Sequence, residues 1–223
     1  MNTLYRYVAT LAFAFTAVVA GASAGATAGG DVSKVNGSIR VEDGQQAGDV
    51  STVNGSISIG RGARAEDVDT VNGSVRIDAQ ASVLDAETVN GSITLGESAE
   101  VRGGISTVNG SLTLGRGARV TGGLENVNGK LTLDGAQVGG GIETVNGDVY
   151  VAAGSRIGGG IHVEENRSWF KIGNHPRKPR ITIESGAVVE GPLVFEREVD
   201  LYVAPGVQLP AVQGVAPKRF VLE

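Results

Sequence analysis

The 223-residue chain contains no cysteine, one methionine, one tryptophan and two histidines. Without cysteine there is no disulfide, thiolate metal site or thiol nucleophile. Between Asp31 and Val149 there is also no aromatic residue, proline or histidine. That stretch therefore offers no His-activated nucleophile and no imidazole metal site. All six prolines lie from Pro176 onward, and beyond residue 24 the aromatics are Tyr150, Trp169, Phe170, Phe195, Tyr202 and Phe220. Charge is sparse, with 19% charged residues and a formal net charge of −5, which fits neither a disordered acidic tail nor a nucleic-acid binder. The 35 glycines lack a triplet period, so collagen is excluded.

Long apolar runs are missing too, apart from Val8 to Val19. With Arg6 before it and Ala22-Ser23-Ala24 after it, this run predicts an export signal over residues 1–24, cleaved after Ala24. The run is short of the ~20 residues that span a bilayer, and no cysteine follows it for a lipid anchor. The expectation is an exported protein, in the periplasm or at the cell surface, with no membrane span after cleavage.

What the chain has in abundance is repetition. Val-Asn-Gly recurs with Asn36, Asn54, Asn72, Asn90, Asn109, Asn128 and Asn146 at spacings of 18, 18, 18, 19, 19 and 18. A fixed period of this size marks a solenoid, whose units bury their apolar faces by stacking on one another. Within each unit runs a beat of six: Val35, Val41, Ala47, Val53, Ile59, Ala65, Val71, Ile77, Val83, Val89, Leu95 and Val101. It resumes after single-residue insertions through Val108, Leu114, Val120, Val127, Leu133, Val145, Val151, Ile157 and Val163. No 3.6-residue period is present, and glycine and β-branched residues dominate, so these are strands. Pairs such as Ile57/Ile59, Ile93/Leu95 and Leu112/Leu114 point inward, which turns Ser58, Thr94, Thr113 and Thr132 outward. Eighteen residues at about 3.3 Å each trace a circuit of three short sides. The expected fold is all-β, a single-domain three-sided parallel β-helix with about 18 residues per coil, right-handed in preference to left-handed, and a rod about 45 Å long.

Asn-Gly readily adopts positive φ, which suits a corner repeated once per coil, and stacked corners allow the seven asparagines to form a hydrogen-bonded ladder. Ala63, Ala65, Ala99 and Ala118 suit a narrow core. The insertions before Asn109 and Asn128 are placed as bulges at Gly103-Gly104 and Gly122-Gly123.

Units such as Thr88-Val89-Asn90-Gly91-Ser92-Ile93-Thr94-Leu95 resemble those of the adhesin-like family of bacterial envelope β-solenoids. The segments Ala118 to Leu124 and Ala187 to Leu193 resemble bactofilins, polymer-forming bacterial β-helix proteins. Together the likenesses span about residues 35–210 and imply a structural, polymer-forming or adhesive role. Bactofilins are cytoplasmic or attached to the inner membrane, and the export signal of this chain departs from that pattern.

The organisation that follows is a signal peptide (1–24), a flexible segment (25–34), regular repeats (35–163), a projecting basic loop (164–180), and irregular C-terminal coils and cap (181–223). The loop concentrates Arg167, Lys171, Arg177, Lys178 and Arg180 around Trp169-Phe170. Such a cluster reads either as core-closing aromatics with solvated charges or as a site for an anionic envelope polysaccharide or lipopolysaccharide. A solenoid also ends in unpaired strand edges. Pro205, Pro210 and Pro217 with Phe220 shield the C-terminal end, while the N-terminal edge, preceded by Gly25 to Gly30, invites self-association.

Asp49, Glu66, Asp67, Asp69, Asp85, Glu87, Glu125 and Glu143 recur before corners as a stripe. Repetition argues for a solvated face, because a catalytic pair is a local, unrepeated constellation. His162 has no evident partner in sequence, and the phosphate-loop, His-Glu-x-x-His and calcium-repeat motifs are absent. No catalytic residue, metal or cofactor is therefore assigned. A column of Thr52, Thr70, Thr88, Thr107 and Thr144 would suit ice binding, but Asn126 interrupts it, and the Asn-Gly-Ser sequons follow from corner chemistry. The expected function is a non-enzymatic structural or adhesive module of the cell envelope. The alternatives are a self-assembling periplasmic polymer and a carbohydrate-active enzyme.

Overall fold

A computed structural model of the protein describes residues 29–165 and 177–216 and the backbone of 218–221. The expected signal (1–24), Arg167, Trp169, Phe170, Lys171 and Pro217 lie outside the described residues. Among the described residues there is no helix, and so none long and apolar enough to cross a membrane.

The chain winds into three parallel sheets. Sheet 1 stacks ten strands, beginning with Val32–Asn36, Val50–Asn54 and Asp67–Asn72 and ending at Val212–Gly214. Sheet 2 stacks ten, from Ile39–Val41 and Ile57–Ile59 to Asp200–Val203 and Lys218–Val221. Sheet 3 is narrower, six two-residue strands from Ser82–Val83 to Val188–Val189, and single bridges at Gln46, Arg64 and Ser82 extend it toward the N-terminus. Equivalent residues pair directly, as in Val50↔Val68, Ile57↔Val75 and Val101↔Val120. With ten strands per stack and about 4.8 Å per rung, the rod is roughly 43 Å long.

Six positions per coil face inward, for example Val50, Thr52, Ile57, Ile59, Ala63 and Ala65, all buried. Two of the inward columns differ in size: Val41, Ile59, Ile77, Leu95, Leu114 and Leu133 on sheet 2 are bulky, whereas Ala63, Ala81, Ala99, Ala118 and Ala136, just before sheet 3, are small. Together they fill a thin core.

On sheet 1 the beat of six is one residue out of phase. The valine of Val-Asn-Gly faces outward, with Val35 52% exposed and Val53, Val71, Val89, Val108, Val127 and Val145 half-buried. The threonine before it turns inward instead. Alternation starting from buried Val50 puts Thr52 in the core and Val53 outside, and the threonine hydroxyl has a use there. Thr52, Thr70, Thr88 and Thr107 donate Oγ1 hydrogen bonds to the carbonyls of Gly37, Gly55, Gly73 and Gly91 on the preceding coil, at 2.9–3.2 Å. The threonine column is thus core, and no ice-binding face exists there.

The corners also differ in cause from the expectation. Of the glycines in the Val-Asn-Gly units, only Gly37 and Gly129 have positive φ. The others are glycine because the coils approach too closely: a Cβ on Gly91 would lie 1.9 Å from the Gly73 carbonyl oxygen. The left-handed corner is the next one, following sheet 2, at Gly44, Gly62, Gln80, Ser98, Gly117, Gly135 and Gly154. The predicted bulges are lengthened corners rather than defects in a ladder. Two residues join Val83 to Ala86, whereas three join Val101 to Ile105, and the same length persists from Val120 to Leu124 and from Val138 to Ile142. Gly122-Gly123 therefore adds no new insertion.

Past residue 163 the register jumps, Asp148 meeting Arg180 at a separation of 32 residues, and then resumes with Val149↔Ile181 and Val151↔Ile183. The coils beyond 181 are more regular than expected, since Leu193–Phe195 and Asp200–Val203 continue the same stacks.

Candidate functional site

The Val-Asn-Gly corner of the rod carries columns that hold one side-chain type over several coils, whereas the outward positions of sheets 2 and 3 are mixed, as in Arg40↔Ser58↔Arg76↔Thr94 and Ser82↔Glu100↔Arg119. On the Val-Asn-Gly corner the seven asparagines are joined by six hydrogen bonds of 2.9–3.1 Å, each Nδ2 donating to the Oδ1 of the preceding coil. The ladder is polar, and its C-terminal end is closed. Arg197 donates through Nη1 to Asn146 Oδ1 at 2.6 Å and to the Val145 carbonyl at 3.0 Å, while its Nη2 reaches the Arg177 carbonyl. Nothing in the sequence singles out Arg197, because its partners lie about 50 residues away. Beside the ladder, Ser38, Ser56, Ser74, Ser92 and Ser111 accept backbone N–H bonds from the next coil through Oγ.

The acidic stripe is not uniformly solvated. Asp67 pairs with Asp85 and Asp69 with Glu87 on adjacent rungs of sheet 1. Burial, followed by the Glu87 carboxylate, pushes Asp69 up to about 7, and burial followed by Glu143 pushes Glu125 up to about 7. Glu87 and Asp67 are raised for the same reasons, burial first. Among the described residues no group of three His, Cys, Asp or Glu side chains is placed to hold a metal. His162 does have a partner, Glu196, with Nε2 at 3.2 Å from Oε1. The two are a rung apart across sheet 1 and 34 residues apart in sequence, which hides the pair from a linear reading.

The basic segment is largely neutralised where it is described. Arg177 pairs with Asp148, and Lys178 Nζ lies 2.6 Å from Glu198 Oε2. Arg180 behaves differently. Its backbone N–H donates to Asp148 Oδ1 at 2.9 Å, and its guanidinium lies 4.9 Å from the centroid of the Tyr202 ring. Two strands earlier in the same sheet, Lys130 Nζ stands 5.0 Å from the Tyr150 ring centroid. The register Tyr150↔Thr182↔Tyr202 puts short Thr182 between the two aromatics on the outer face of sheet 2. The result is an open groove of about 410 Å³, lined by Lys130, Asp148, Tyr150, Arg180, Thr182 and Tyr202. The Tyr150 hydroxyl donates to Glu184, which raises the phenol above its ordinary value and holds the ring in place. The sequence showed these tyrosines but not their convergence, because the insertion after 163 separates them by an irregular distance.

No family model, curated protein or solved structure matches the chain.

Proposed function

We infer that the protein is a non-enzymatic structural or adhesive rod of the bacterial cell envelope, which presents its side-chain ladders to an envelope or surface polymer. The observation that carries this reading is the constancy of the asparagine and serine columns along one corner over many coils. A partner that repeats along its length meets the same chemistry at every rung of that corner, so weak contacts add by multivalency. The hydroxyls and amides of the serine and asparagine columns are engaged with neighbouring coils, which favours a stiff scaffold over reactive groups. The likeness of the repeats to adhesin-like envelope solenoids and the signal-like first 24 residues support the location. The test is fractionation of cells expressing the full chain, together with co-sedimentation on purified envelope polysaccharide. Recovery with the envelope fraction and saturable co-sedimentation are expected; a chain left in the cytoplasm with no retention refutes the reading.

Self-assembly is the second reading, favoured by one observation: the strand Val32–Asn36 has a described neighbour on one side only, Val50–Asn54. Electron microscopy of the purified chain separates the two, filaments favouring assembly.

A further inference from the structure

We propose that the groove between Tyr150 and Tyr202 is a binding site for a carboxylated sugar, with Tyr150 as the stacking platform, Arg180 as the carboxylate clamp and Tyr202 as the residue that positions the clamp. The proposal rests on the envelope-polymer reading and names the ligand class at one place on the rod.

The argument starts from which ring faces are free. Lys130 belongs to the strand preceding that of Tyr150, so its ammonium covers the ring face toward the N-terminal end of the rod. The other face of Tyr150 looks over Thr182 into the groove. Arg180 belongs to the strand preceding that of Tyr202, so its guanidinium covers the groove-side face of Tyr202. A ligand over the groove therefore meets the Tyr150 ring and, beside it at the level of Thr182, the Arg180 guanidinium. Pyranose rings offer C–H faces to aromatic planes, and a guanidinium presents a planar fork that matches a carboxylate. The groove volume falls within the 300–1,000 Å³ usual for small-ligand sites.

Charge selects the ligand further. Among the described residues the ionic groups around this region are Lys130, Arg177 and Arg180 against Asp134, Asp148, Glu184 and Asp200. Asp148 is occupied by Arg177 and by the Arg180 backbone, and Glu184 by the Tyr150 hydroxyl and the Ala153 N–H. Among the described residues neither Lys130 nor Arg180 forms an ion pair; both rest on rings. Two cations are thus held in place by aromatics on a chain of net charge −5. Arg180 is exposed, but its guanidinium lies against the Tyr202 ring, so a sugar stacked on Tyr150 reaches it most directly through an anion carried close to the sugar ring. A uronate carboxylate, bonded directly to the ring, meets that condition; a phosphate on a hydroxymethyl arm stands farther out.

The test is isothermal titration calorimetry of the full chain with oligogalacturonate and with a neutral oligosaccharide of equal length, and competition by glucuronate and by glucose 6-phosphate. The uronate oligomer binds, at least tenfold more tightly than the neutral one, and glucuronate competes where glucose 6-phosphate does not. Tyr150→Ala, Arg180→Ala and Tyr202→Ala each weaken binding about tenfold, while Tyr202→Phe, which keeps the ring under the guanidinium, stays within twofold of wild type. Thr182→Trp, which fills the groove, abolishes binding with an unchanged unfolding midpoint, and Arg76→Ala, on the same sheet far from the groove, changes nothing. Failure of the wild type to bind the uronate oligomer, equal binding by Thr182→Trp, or competition by the sugar phosphate in place of glucuronate overturns the proposal. Wild-type retention of Thr182→Trp on envelope polysaccharide overturns the groove as the site of contact but leaves the envelope-polymer reading standing; loss of wild-type retention removes that reading itself.

Discussion

Replacing Asp69 by asparagine should stabilise the rod at neutral pH and do almost nothing in mild acid. Asp69 is half-buried on sheet 1 with Glu87 on the adjacent rung, and burial first, then that carboxylate, raises it from 3.8 to about 7. The folded chain therefore holds a proton on Asp69 at pH values where the unfolded chain has released it. Stability must fall as pH rises from about 4 to about 7, and the penalty is fully developed above that range. A displacement of about 3 pKa units at 1.36 kcal/mol each sets a ceiling of ~4 kcal/mol, and solvent and salt screening bring the expected value to about 2–4 kcal/mol. Asp69→Asn keeps the shape and removes the charge. Urea denaturation followed by circular dichroism at pH 4 and pH 8 should give a gain of about 2–4 kcal/mol at pH 8 and under ~1 kcal/mol at pH 4. An equal gain at both pH values, or wild-type stability that is flat from pH 5 to 8, refutes the argument that burial and the stacked carboxylate oppose ionisation of this group.

Other expectations come from the corners and the ladder. Asn90→Ala removes two ladder bonds, to Asn72 and from Asn109, and should cost about 1–2 kcal/mol; Asn36→Ala removes one and should cost about half as much in the same denaturant assay. Ser98 has a φ of 55° at a corner that is glycine in most coils, so Ser98→Gly should stabilise by about 0.5–1 kcal/mol, read as a raised unfolding midpoint. Gly91→Ala drives a Cβ to 1.9 Å from the Gly73 carbonyl oxygen and should cost at least ~3 kcal/mol, measured as soluble yield and midpoint. Thr88→Val strips the bond to the Gly73 carbonyl, 3.0 Å long, for a loss of about 1 kcal/mol by chemical denaturation.

The period alone made the coil legible: seven Asn-Gly corners at near-constant spacing admit little besides stacking, and the inward pairs of sheet 2 follow from strict alternation. The phase of sheet 1 was hidden because hydrophobicity ranks valine above threonine as a core residue. In this strand the decisive term is instead a glycine carbonyl of the preceding coil that accepts a hydrogen bond, and threonine supplies the donor where valine cannot. The left-handed corner was hidden for a related reason. Its glycines are interrupted by Gln80 and Ser98, so they make no visible motif, whereas Asn-Gly drew attention to a corner whose glycines answer mostly to close approach. The groove was the least legible feature. Tyr150, Thr182 and Tyr202 become neighbours only because register survives the long excursion after residue 163, and no local pattern announces that survival.

The polarity of the asparagine ladder bears on how copies could associate. Each rung donates toward the N-terminal end, so a head-to-tail stack would need Asn36 Nδ2 of one copy to find an asparagine Oδ1 at the C-terminal end of another. The last such oxygen, on Asn146, already accepts from Arg197, which also binds the Val145 carbonyl and the Arg177 carbonyl of the basic segment. Several further strands, among them Leu193–Phe195 and Asp200–Val203, then cover that end without continuing the ladder. The two ends are therefore not complementary at the corner that gives the rod its regularity. Two N-terminal ends would set Asn36 Nδ2 against Asn36 Nδ2, donor against donor, so the ladder completes neither a head-to-tail nor a like-end contact. A filament would require a contact that ignores the ladder, and Arg197→Ala, which frees the Asn146 oxygen, should then leave its formation unchanged.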